Sequence, residues 1–64
     1  MRIRQLREER GLTQTELARK SGLAQPTLSE LERGSKTNPS LKVLRRLADA
    51  LGIDVADLIK EEAI

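Results

Sequence analysis

The four glycines of this chain stand at positions 11, 22, 34 and 52, and each follows directly on a run whose apolar residues recur every three or four positions. Glycine in that place ends a helix. Such a chain is divided into short helices, and no segment alternates polar and apolar residues long enough to make a strand. The spacing therefore predicts an all-α fold of five helices, over about 1–10, 14–21, 25–33, 40–51 and 54–61. Ile3 and Leu6 mark the first helix, and Leu17, Ala18 and Ser21 face inward on the second. The fourth carries the stripe Leu41, Leu44, Leu47, Ala48 and Leu51, and the fifth carries Val55, Leu58 and Ile59.

The helix starts have their own signals. Thr13-Gln14-Thr15-Glu16 reads as a capping box, in which the Thr13 hydroxyl accepts from the amide three residues on and Glu16 reaches back to the Thr13 amide. Pro26 suits a first helical turn, where a missing N–H costs nothing. That places the cap of the third helix at Ala24 or Gln25, and Ala24 is a poor cap, weaker than Ser or Thr by about 1 kcal/mol. Ser35 to Pro39 is a polar, basic loop. Asn38 or Ser40 caps the fourth helix and Asp54 the fifth, and the tail from Glu61 to Ile64 is expected to fray.

Composition narrows the function. With 64 residues the expectation is one domain spanning 1–64. There is no cysteine and no histidine, which excludes disulfides and argues against a zinc site. Without aromatic residues there is no platform for stacking single-stranded bases. No histidine–nucleophile pair, glycine-rich phosphate loop or cluster of acids is present, so neither an enzyme nor a cofactor or metal is expected. No apolar run approaches the roughly 20 residues of a membrane span. The basic N-terminus has no apolar run behind it to make a secretory signal, so the expected location is the cytoplasm. Residues 1–46 hold eleven Lys/Arg against five acids, a net of +6, whereas residues 47–64 hold one lysine against five acids, a net of −4. That asymmetry suits a nucleic-acid-facing part and an acidic end turned away; ordinary solvated helix faces produce it as well.

The second and third helices are joined by the very short turn Ser21-Gly22-Leu23, at which Gly22 favours the positive φ of a sharp reversal. Ala18 leaves room for close approach, and Leu28 and Leu31 lock the third helix in place. This spacing is that of a helix-turn-helix. At about 100° per residue, Ala24, Leu28 and Leu31 fall on one face of the third helix. Pro26, Ser29, Glu30 and Arg33 fall roughly opposite, and Gln25 and Glu32 lie on a flank. In a helix-turn-helix, the outward face enters the groove.

The stretches LREERGLTQTELARKSGLAQPTLSELERG and NPSLKVLRRLADALGI together resemble the lambda-repressor and Cro-like helix-turn-helix regulators, the XRE family, from about Ile3 to about Leu58. The resemblance implies a compact five-helix bundle that binds the DNA major groove, usually as a dimer. It assigns base reading to Gln25, Pro26, Thr27, Ser29 and Glu30. Glutamine pairs with adenine N6 and N7, glutamate accepts from cytosine N4, and Pro26 offers only apolar contact. It assigns phosphate binding to Gln14, Arg33 and the loop Ser35, Lys36, Thr37 and Asn38. It also implies an ion pair between Arg7 and Glu32, buried in the family; a loose surface pair is the alternative.

The resulting expectation is a sequence-specific regulator of transcription, a repressor, binding a palindromic operator as a homodimer with the third helix in the major groove. Val55, Leu58, Ile59 and Ile64 are the candidate dimer surface, although some of them must also close the core. The alternative is a protein-interaction module on the same fold, such as an antitoxin bound to its toxin or a domain that touches RNA polymerase.

Overall fold

The computed structural model of the chain describes residues 2–34 and 39–60. Its elements are α1 (Ile3–Glu9), α2 (Gln14–Ser21), α3 (Gln25–Arg33), α4 (Leu41–Leu51) and α5 (Val55–Ile59), with no strand among the described residues. α1 is shorter than expected at both ends, because Arg2 supplies no side-chain cap and Arg10 already has non-helical backbone. α4 starts one residue late because Ser40 is its cap: the Val43 amide donates to Ser40 Oγ at 3.2 Å. Asp54 stands at the cap position of α5, but its side chain makes no cap hydrogen bond. Instead its backbone carbonyl accepts from the amides of Asp57 and Leu58, at 3.0 and 3.2 Å. The expected tail beyond Lys60 lies outside the described residues.

The core is aliphatic. Ile3 and Leu6 of α1, Leu17 and Ala18 of α2, Leu28 and Leu31 of α3, Leu47, Ala48 and Leu51 of α4, and Leu58 of α5 are all buried together. Each helix thus contributes its apolar stripe to one centre, the arrangement by which short amphipathic helices gain stability they lack alone. α2 packs against both α3 and α4, while α1 reaches α3 and α4. The Arg2 amide donates to the Leu58 carbonyl at 3.1 Å, joining the start of α1 to α5. Arg10 ties the far end of α1 to α4, with Nε donating to the Leu51 carbonyl at 2.6 Å.

Two expected core assignments fail. Leu41 is 57% exposed: it shares a face with Ala48 but sits about 10 Å nearer the start of α4 at 1.5 Å per residue, beyond the edge of the core. Ala24 is exposed, because its backbone is extended and a helical wheel does not apply to it. Ile59, a candidate for the dimer surface, is 49% exposed.

Candidate nucleic-acid interface

The turn between α2 and α3 is closed by backbone chemistry. Gly22 has φ +71°, in the left-handed region that other residues rarely adopt, and the Leu23 amide donates to the Ala18 carbonyl at 2.9 Å. Ser21, buried in the turn, satisfies its hydroxyl by donating to the Leu17 carbonyl at 2.7 Å. With Leu28 wholly buried and Leu31 nearly so, the turn fixes which side of α3 is left outward.

On that side Gln25, Pro26 and Arg33 are exposed, and Thr27, Ser29 and Glu30 are half-buried. Glu30 is therefore less open than a wheel places it. The start of α3 has no side-chain cap. Pro26 supplies no N–H, so the first-turn amides of Gln25 and Thr27 are the ones open to an acceptor. α2 begins differently. The Glu16 amide donates to Thr13 Oγ1 at 3.1 Å and the Thr13 amide to Glu16 Oε1 at 2.8 Å, the reciprocal capping box. That leaves the Gln14 and Thr15 amides at the open end of the helix, where the dipole favours an anion. Glu16 is held below its ordinary carboxylate pKa, first by the Thr13 backbone N–H and next by its hydroxyl.

An ion pair joins the last turn of α3 to α1, beside the start of α2. Arg7 Nε donates to Glu32 Oε2 at 2.8 Å and Nη2 to Oε1 at 3.2 Å, with the two side chains 13% and 4% exposed. Arg7 Nη1 donates to the Leu12 carbonyl at 2.8 Å, holding the turn that precedes α2. The hydrogen bond to Glu32 raises the Arg7 pKa further, against the opposing effect of burial, so the guanidinium stays charged. Gln14 Nε2 also donates to Glu32 Oε1, at 3.4 Å. That third contact crosses from α2 to α3, and residue spacing gave no signal for it.

Ser35, Lys36, Thr37, Asn38 and Ile64 lie outside the described residues. Leu58 is fully buried and so offers no dimer surface: its side chain closes the core. Val55 is half-buried against the core, which leaves Ile59 as the exposed large apolar residue of α5. Among the described residues there is no group of His, Cys, Asp or Glu that would hold a metal ion, and no helix long and apolar enough to cross a membrane.

A helix-turn-helix family model matches residues 3–58. The transcriptional regulator DdrOP3 of Deinococcus deserti is 49% identical over 59 residues, covering 92% of this chain and 45% of that protein. The immunity repressor protein of Bacillus phage phi105 is 44% identical over 63 residues, covering 98% of this chain and 43% of that protein. The chain thus spans about half the length of these curated relatives. Among solved structures, the biofilm master regulator SinR in complex with DNA superposes with a TM-score of 0.88 at 41% identity, over 92% of this chain and 94% of that one. The first of these relatives is a transcriptional regulator, the second an immunity repressor, and the third is solved on DNA. The chain belongs to the XRE/Cro-C1-type helix-turn-helix family.

Proposed function

We propose that residues 1–64 act as one DNA-binding unit of a sequence-specific transcriptional repressor, with α3 in the major groove. The observation that carries this reading is the polar outward side of α3, on a fold that matches a regulator solved on DNA. Gln25 pairs with adenine and Glu30 accepts from cytosine N4. Pro26 adds apolar contact, and Thr27 and Ser29 bond nearby edges or phosphates. Gln14, Arg33 and the segment Ser35, Lys36, Thr37 and Asn38 hold the phosphates on either side.

Repression is supported by the name of the phage relative. The unit works as a dimer on a palindromic operator, two copies of α3 lying about 34 Å apart in successive grooves. Ile59 and the outer part of Val55 contribute to the contact between copies.

The roles separate in binding assays. Q25A and E30A change which bases are preferred, whereas K36A weakens binding to every duplex alike. Equal binding of all three variants and the native protein to operator and random duplex refutes the reading.

A further inference from the structure

We infer that Glu32 is a positioning residue for DNA binding: it holds the Gln14 side chain at the start of α2, so that the Arg7–Glu32 pair governs DNA affinity as well as stability. The inference rests on the reading that Gln14 meets a phosphate. Glu32 sits on α3, yet its Oε1 accepts both from Arg7 Nη2 at 3.2 Å and from Gln14 Nε2 at 3.4 Å. A primary amide nitrogen has two hydrogens. With one spent on Glu32, the other points away from the carboxylate and stays available at the open end of α2. A glutamine side chain free to rotate would have to be ordered each time DNA bound, and this contact orders it beforehand.

Charge supports the same assignment. A lone carboxylate beside a phosphate site would repel the ligand. Arg7 cancels that charge through two hydrogen bonds, so Glu32 orients Gln14 without opposing the anion. The one residue then links all three elements: the first helix through Arg7, the second through Gln14, and α3 to which it belongs.

A double-mutant cycle tests this. Native protein, Q14A, R7M/E32M and the combined variant are titrated against a random-sequence duplex at one salt concentration, with circular dichroism confirming helical content. R7M/E32M removes one positive and one negative charge, so net charge and general attraction to the duplex are unchanged. Q14A is expected to bind about tenfold more weakly, the worth of one hydrogen bond to a charged group. R7M/E32M is expected to lose several-fold in affinity when Gln14 is present and less than twofold more when it is absent. The same loss in both backgrounds, or no loss in either, overturns the inference. A Q14A protein that binds as tightly as the native one refutes the phosphate contact itself, and the inference with it.

Nuclear magnetic resonance of the native protein supplies a readout independent of any variant's folding. The side-chain amide of Gln14 is expected to be more ordered than that of Gln25, which is exposed. Equal mobility of the two overturns the inference.

Discussion

Replacing Glu32 by alanine strands a largely buried guanidinium. Arg7 is 13% exposed, and Glu32 is its bidentate acceptor at 2.8 and 3.2 Å. In E32A only the Leu12 carbonyl remains as a partner for it, and an arginine does not relieve the burial by losing its proton. Breaking a buried pair from one side costs about 3–5 kcal/mol. A chain of this length has about 3–10 kcal/mol in total, so E32A stands at the edge of unfolding. For a domain this small, each kcal/mol moves the midpoint by about 4–8 °C, and the expected drop in Tm exceeds about 12 °C. R7M/E32M replaces both partners with apolar groups of similar volume, and its stability is expected to stay within about 1 kcal/mol of the native value. Thermal and urea unfolding followed by circular dichroism measures both. A loss below about 1 kcal/mol in E32A, the scale of an exposed pair, refutes the reasoning. So does an R7M/E32M protein as unstable as E32A, because the damage would then not come from the stranded charge.

Three further outcomes are expected. Glu16 has a folded pKa below its ordinary value, so its contribution is complete above the ordinary carboxylate value and is lost as pH falls from there through the lowered folded pKa; E16A should melt below the native protein at pH 7, and the gap should close on acidification. A methyl group at Gly22 would meet only Arg46 Nη1, at an ordinary 3.8 Å, so G22A should lose about 1–2 kcal/mol in urea, the cost of left-handed backbone alone; a much larger loss would point to a clash. L41A should change stability by no more than about 0.5 kcal/mol, whereas L17A, wholly buried, should lose about 2–5 kcal/mol.

What was legible in the sequence was local. Thr13 and Glu16 sit three residues apart and close on each other whatever the rest of the chain does. Gly22 ends α2 because its own backbone permits the turn. Ala24 and Leu41 show where periodicity stops being informative. A wheel assumes helical backbone, which Ala24 lacks, and it fixes an angle without fixing how far along the axis the core extends. Asp54 has the residue type of a cap and the position of one, but the choice between its side chain and its backbone as acceptor is made in three dimensions. Leu58 illustrates a competition that spacing leaves open: one apolar residue of α5 can serve the core or a partner, and here the core takes it. The hydrogen bond from Gln14 to Glu32 joins residues 18 positions apart, a separation for which helical periodicity carries no signal.

Selection of bound sites from a random duplex library tests the central claim most directly. The expected result is one enriched motif of two inverted half-sites, about 10 base pairs centre to centre, with bases that change in a Q25A or E30A protein. Recovery of sequences no different from the starting library, with the protein folded and the salt low, would contradict it.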